Sequence, residues 1–323
     1  MTDGLKAYKN IKDLARQEFI LPGTPACGGC GGLEVLRLAN KVLGERVVFV
    51  NAAGCLTMLA LFPYTPFRGS WLYTTMGSAP AGAQGVRDAL DILRAKGRLR
   101  AEDDLRVVVV AGDGSTYDMA LSATSGTLHR HLDYWYICYD NEAYGNTGMQ
   151  QSSATPYGAQ TSTTPPANRD SGPTTAAPGF LQGKKDIFEI WRAHRPPYIA
   201  TVSPRHPVDL ARKFEVAKQF KGPKLFLAFA PCPTGWLYDP AKTLQYARLG
   251  VECGLFPLKE AIEGEVTHTY VKRKWRPVEE YLQGQGRFRH LFEPVRQHAV
   301  IRALQDAVDR YWASVGVKRS ERG

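Results

Sequence analysis

The chain has 323 residues, 44% of them hydrophobic and 22% charged, with a formal net charge of +10. That length suits one large α/β domain or two modest ones, with enough apolar material for a sizeable core. No apolar run approaches the roughly 20 residues of a bilayer span, and residues 1–19 carry Lys6, Lys9, Lys12 and Arg16 with no signal-like apolar stretch. The expectation is a cytoplasmic protein with no membrane span.

Much of the positive charge sits late, in Lys272-Arg273-Lys274, in Arg287, Arg289 and His290 of 286–290, and in Lys318-Arg319. A solvated face is the plain reading of such runs. No zinc-finger, RNP-like or helix-turn-helix pattern accompanies them, so nucleic acid is not the expected partner. If the charge has a function, an acidic surface on a partner subunit suits it best.

Taken in chain order, short runs rich in β-branched and aromatic residues at 46–50, 105–110, 134–139, 198–202 and 224–229 predict buried parallel strands. Helical periodicity fills 33–43, 81–93, 117–128 and 208–220. Strands alternating with helices predict a doubly wound, mostly parallel α/β sheet, with its ligand site at the carboxyl ends of the strands. Residues 152–179 are rich in Ser, Thr, Pro, Gly and Ala and read equally as a linker or a functional loop. Beyond Leu237 the alternation fades. Residues 1–236 are expected to form the α/β domain, with 1–23 as an N-terminal segment. Residues 237–323 are expected to be a helical and irregular extension rather than an independent domain.

The strand at 105–110 ends in Ala111-Gly112-Asp113-Gly114, just before a helical pattern. Glycine there lets a ligand approach the backbone, and the exposed N–H groups of a helix start attract a diphosphate. A carboxylate in that position is repelled by phosphate unless a cation lies between them, which makes Asp113 a candidate Mg²⁺ ligand. The next strand ends in Asp140-Asn141-Glu142-Ala143-Tyr144-Gly145-Asn146-Thr147-Gly148, and Asn141 follows Asp113 by 28 positions. A strand-helix-strand unit has about that length, so Asp113 and Asn141 can share one cation. An ordinary turn is the alternative, and Gly-Asp-Gly alone is weak evidence against it.

Of six cysteines, Cys27 and Cys30 form a C-x-x-C in a glycine-rich loop. Cys55 follows one strand in Ala53-Gly54-Cys55, and Cys232 follows another in Pro231-Cys232-Pro233-Thr234-Gly235-Trp236. Four thiolates suit either zinc or a [4Fe–4S] cluster. Cys138, inside a strand, and Cys253 are expected to be packing thiols. His129 and His131 end a helix and are given no catalytic role, nor are Glu34 and Glu142, which show no partner in sequence. Tyr144, Tyr157 and Trp236 suit a substrate pocket or the core equally well.

The Gly-Asp-Gly…Asn pattern resembles the thiamine diphosphate motif. The run from Tyr139 to Gln150, followed by Ser152-Ser153-Ala154-Thr155-Pro156, is similar to the β subunit of 2-oxoacid:ferredoxin oxidoreductases, the pyruvate:ferredoxin oxidoreductase family. So are Cys-x-x-Cys-Gly near the start, the Gly-Cys after the first strand and the late Pro-Cys-Pro-Thr-Gly-Trp. The likeness runs from about Pro22 to Trp236. It implies the thiamine diphosphate-binding fold, with Asp113 and Asn141 giving side-chain oxygens and Ala143 its carbonyl to Mg²⁺. Asn146 would face the diphosphate, and Gly54, Cys55, Gly112 and Gly114 would border the cofactor. Cys27, Cys30, Cys55 and Cys232 would hold a [4Fe–4S] cluster. The implied reaction is oxidative decarboxylation of a 2-oxoacid, with coenzyme A taking the acyl group and ferredoxin or another acceptor the electrons. The glutamate that activates the cofactor would come from another subunit, and a ferredoxin-like subunit would carry electrons onward. Thr74-Thr75-Met76-Gly77-Ser78-Ala79-Pro80 departs from the family pattern and leaves the oxoacid open between pyruvate and others, including an aryl glyoxylate. Two other classes compete: a non-catalytic cluster- or zinc-bearing assembly subunit, and a zinc-containing nucleic-acid binder.

Overall fold

The computed structural model describes residues 5–61, 63–165 and 179–317. The later part of the 152–179 loop and the basic pair Lys318-Arg319 lie outside the described residues.

The expected strands form β1 (Val47–Ala52), β3 (Arg106–Gly112), β4 (Trp135–Asp140), β5 (Tyr198–Val202) and β6 (Lys224–Phe229). Three strands join them: β2 (Ser70–Thr74), β7 (Lys259–Ile262) and β8 (Glu265–His268). The order is β2-β1-β3-β4-β6-β5-β7-β8. All pairings are parallel except β5 with β7 and β7 with β8. β2 is an addition to the expected strands: a five-residue edge strand with Leu72 and Tyr73 exposed, short of the buried runs that mark the others. The β7–β8 hairpin extends the opposite edge from within the C-terminal segment, which also holds α7 (Thr243–Glu252), α8 (Val278–Leu282) and α9 (His298–Ser314).

Alternate residues of the central strands serve two cores, as strand geometry requires. Val108 and Val110 of β3 face the side covered by α1 (Gly31–Leu43) and α5 (Pro207–Ala217), through Leu36, Leu43, Leu210 and Phe214. Val107, Val109 and Ala111 face the other side, where α2 (Ala79–Ala95), α3 (Leu121–His129) and α4 (Ile187–Arg192) pack. Tyr281, Leu304 and Trp312 of α8 and α9 belong to this same second core. The C-terminal segment therefore shares the hydrophobic interior of the sheet.

One helix begins unlike its prediction. The stretch expected to be helical over 117–128 opens as a π-helical turn, Gly114–Met119, before α3 starts at Leu121. Such turns are short, strained and concentrated at functional sites.

Phe226 stacks on Phe214 with ring centroids 3.8 Å apart and on Trp135 at 5.8 Å. Phe226→Ala should cost about 3–5 kcal/mol, the usual loss for a buried aromatic. A lowered denaturant midpoint checks it.

Candidate functional site

β3 and β4 are parallel neighbours with Gly112 opposite Tyr139. That register sets Asp113 and Asn141, one residue past each pair member or beyond, side by side at the carboxyl edge. Both are buried. One terminal atom of the Asn141 amide lies 2.7 Å from Asp113 Oδ1 and 2.8 Å from the Ala143 carbonyl oxygen. If that atom is the NH₂, it donates to both. If it is the oxygen, three oxygens converge. An octahedral cation with ligands at about 2.0–2.1 Å holds neighbouring oxygens about 2.9 Å apart, a separation close to the two distances around the Asn141 amide. The orientation of the amide is thus tied to whether a cation lies between the oxygens. The hydroxyl of Ser152 donates to the other Asp113 oxygen. Burial raises the Asp113 pKa well above the carboxylate range, and the charge of Asp140 adds to this.

Around this point is a cleft of about 100 Å³ lined by Gly54, Cys55, Met76, Gly114, Tyr144 and Asn146 among others. Asn146 is exposed at its rim. Packing demands the glycine at position 114: an added Cβ would sit 2.3 Å from the Tyr144 ring. The Tyr144 hydroxyl donates to the Gly114 carbonyl at 3.2 Å, while Tyr139 lies beneath Gly112. Tyr157 and Trp236 pack in the core instead. Trp236 Nε1 donates to the Asn141 carbonyl at 2.9 Å.

Sequence reasoning missed the charges beneath the site. Glu142, taken to have no partner, is fully buried and pairs with Lys184 at 3.1 Å and Arg287 at 2.7 Å. Lys184 also pairs with Asp140 at 2.7 Å, and the Tyr117 hydroxyl donates to Asp140 at 2.7 Å. Burial pushes the Glu142 pKa up, but Lys184 and Arg287 outweigh it and hold the carboxyl below its ordinary value. Arg287 stands in a run read as solvated, yet it is buried, because its guanidinium stacks 3.8 Å over the Trp236 ring. No local signal marks that, since the partners are 145 residues apart. The described start of the 152–179 loop is bound to the site. Ser153 N donates to Asp118 at 3.1 Å and Thr155 Oγ1 to the Glu142 carbonyl at 2.9 Å.

The four cysteines come to the same edge. Cys30 Sγ caps α1 by accepting from Leu33 N at 3.4 Å. Cys232 Sγ accepts from Gly235 N at 3.3 Å and opens α6 (Pro233–Trp236). Gly31 N donates to the Pro231 carbonyl at 3.1 Å, tying the two cysteine loops together. Burial pushes the Cys55 thiol up to about 12, with the charges of Cys232, Cys30 and Cys27 adding to the effect. Cys232 rises to about 11 by burial, raised further by Cys30 and Cys27 against the Gly235 N–H. The sulfurs are thus near enough to feel one another. As positioned, no three His, Cys, Asp or Glu side chains among the described residues form a metal-chelating group. The other terminal atom of the Asn141 amide lies 4.0 Å from Cys55 Sγ, so this thiol adjoins Asp113 and Asn141. Cys27 is exposed, while Cys138 and Cys253 are buried in the core. Glu34 pairs with Arg37 on the surface.

A parallel sheet with Asp113, Asn141 and Ala143 gathered beside a glycine-lined cleft at the ends of β1, β3 and β4 has the layout of a ligand-binding α/β subunit. The family model for the thiamine pyrophosphate enzyme C-terminal TPP-binding domain matches residues 52–227. The chain is 43% identical over 296 residues to pyruvate synthase subunit PorB of Methanothermobacter thermautotrophicus, covering 91% of this chain and 97% of that one. It is 40% identical over 280 residues to ketoisovalerate oxidoreductase subunit VorB of Pyrococcus abyssi, covering 85% and 86%. The 2-oxoglutarate:ferredoxin oxidoreductase of Magnetococcus marinus shares the fold, with a TM-score of 0.52 and 20% identity over 77% of this chain and 84% of that one. The chain belongs to the thiamine pyrophosphate enzyme family and, within it, to the PorB/VorB subunits of 2-oxoacid oxidoreductases. Among the described residues no helix is long and apolar enough to cross a membrane.

Gly114→Ala should destabilise the chain by about 1–3 kcal/mol through overpacking against Tyr144. Adding Tyr144→Ala should recover part of that loss, and a double-mutant cycle of thermal unfolding measures the coupling.

Proposed function

We propose that this subunit binds thiamine diphosphate through Mg²⁺ and carries a [4Fe–4S] cluster, and that its complex performs coenzyme A-dependent oxidative decarboxylation of a 2-oxoacid. The convergence of Asp113 Oδ1, the Asn141 amide and the Ala143 carbonyl, with one amide atom 2.7 and 2.8 Å from the two oxygens, is the observation that carries this reading. Hard oxygen donors around a buried carboxylate suit Mg²⁺ and leave its other positions to phosphate oxygens and water. Gly112, Gly114 and Asn146 border the diphosphate, and Gly54 and Cys55 close the other wall.

When bound, thiamine diphosphate supplies the carbanion chemistry that releases carbon dioxide from a 2-oxoacid. The chain's own part is to hold and orient. Asp113, Asn141 and the Ala143 carbonyl fix the metal, and Ser152 holds the second Asp113 oxygen in place. Tyr139 and Tyr144 form an apolar floor and wall. Cys27, Cys30, Cys55 and Cys232 would hold the cluster, which would accept electrons from the cofactor. Coenzyme A takes the acyl group, and a ferredoxin-like subunit passes electrons to ferredoxin or another acceptor. A partner subunit contributes the activating glutamate, completing the pocket from the open side of the cleft.

The substrate class is a 2-oxoacid, with pyruvate the first choice and an aryl glyoxylate the alternative. Met76, in the divergent Thr74–Pro80 segment, lines the cleft, and its carbonyl accepts from Ser115 Oγ at 2.5 Å. That segment is where this chain would influence selectivity.

The complex should be purified anaerobically and analysed for iron, sulfide and thiamine diphosphate. All three should be present, and Asp113→Ala should abolish thiamine diphosphate retention while sparing iron. Absence of both cofactors from the intact wild-type complex would overturn the proposal. Unchanged activity in Asp113→Ala would favour a non-catalytic assembly role instead. A panel of 2-oxoacids with a viologen acceptor names the substrate.

A further inference from the structure

Glu142 occupies an unusual place. It stands between Asn141, whose amide lies against Asp113, and Ala143, whose carbonyl meets the same amide. Its backbone is left-handed, with φ of 65°, a conformation a non-glycine residue keeps only when its surroundings impose it. Its carboxylate is fully buried and held by two cations from distant parts of the chain, Lys184 and Arg287. Thr155 Oγ1 clamps its carbonyl. Moving Glu142 therefore moves both neighbouring oxygens at once.

Arg287 is held on every side. Its Nη2 donates to Glu142 Oε2 at 2.7 Å and to the Tyr281 hydroxyl at 3.0 Å, and its Nε donates to Gln285 Oε1 at 2.9 Å. Its plane lies on Trp236, whose indole N–H holds the Asn141 carbonyl. Its own carbonyl accepts from Gln160 N at 2.8 Å, anchoring the loop that also supplies Ser152. Among the described residues, the buried carboxylates of Asp140 and Glu142, which neighbour Asp113, are paired with Lys184 and Arg287. Both cations are engaged there, so the geometry around Asp113 depends on how firmly that ion-pair network is held.

We propose that Arg287 is a positioning residue for the metal and diphosphate half-site: by locking Glu142 and Trp236 from the C-terminal segment, it fixes Asn141 and the Ala143 carbonyl. Cofactor binding then depends on the docking of that segment. This inference rests on the reading of Asp113, Asn141 and Ala143 as metal ligands.

The test uses the anaerobically purified complex, stripped of thiamine diphosphate and Mg²⁺. Mn²⁺ is titrated at fixed thiamine diphosphate, with free Mn²⁺ followed by electron paramagnetic resonance and cofactor uptake by tryptophan fluorescence. Arg287→Met should weaken Mn²⁺ binding by about 10–100-fold, as loss of a group supporting metal ligands does. It should raise the half-saturating cofactor concentration far more than it lowers kcat at saturation. Arg287→Lys keeps the charge but not the stack or the fork, so it should fall between the two. If Arg287→Met prevents assembly, Gln285→Leu, which frees the guanidinium without changing charge, should weaken Mn²⁺ in the same direction. Wild-type Mn²⁺ affinity in the Arg287 variants, or in Gln285→Leu where those do not assemble, would overturn the inference. If the wild-type complex binds neither Mn²⁺ nor thiamine diphosphate, the metal-site reading fails and this inference with it.

Discussion

The structure is organised around one electrostatic problem: three carboxylates buried together at the carboxyl edge of the sheet, at Asp113, Asp140 and Glu142. Each is expensive to bury unless paired. Two cations answer part of the charge, one from the loop before α4 and one from the C-terminal segment. Both pair with Asp140 or Glu142, while burial drives the Asp113 carboxyl toward its protonated form.

The rest of the fold supplies rigidity to that point. β3 and β4 are central, hydrogen-bonded on both sides and buried on both faces, so the residues at their ends inherit fixed positions. Tyr139 and Tyr144 then pack against glycines, which sets the shape of the cleft by contact rather than by loop flexibility. The cysteine loops are tied to each other through Gly31 and Pro231. This arrangement sets the Cys55 thiol beside the Asn141 amide.

The C-terminal segment has a larger role than its irregular sequence suggests. It contributes an antiparallel hairpin to the sheet, aromatic side chains to one of the two cores, and Arg287 to the site. The family likeness to PorB and VorB subunits extends over most of the chain and so includes much of this segment, in keeping with its being built into the same interior.

The sequence alone determined the five internal strands, four of the helices that flank them though not α4, and the placing of Asp113 and Asn141 at the carboxyl edge. The signals are local: β-branched runs, a Gly-Asp-Gly at a strand end, Asn at the next, and cysteines beside strand termini. Strand alternation fixes which ends share an edge, so Asp113 and Asn141 could be paired before any coordinates. Tertiary structure alone decided β2, the β7–β8 hairpin, the π-helical turn and the partners of Glu142. A five-residue edge strand falls short of the buried runs that mark the others, and a hairpin of four-residue strands is too short for its period to register. The Glu142–Arg287 pair spans 145 positions. A charge in a basic run looks the same in sequence whether it meets water or a buried carboxylate, and only the folded chain distinguishes them.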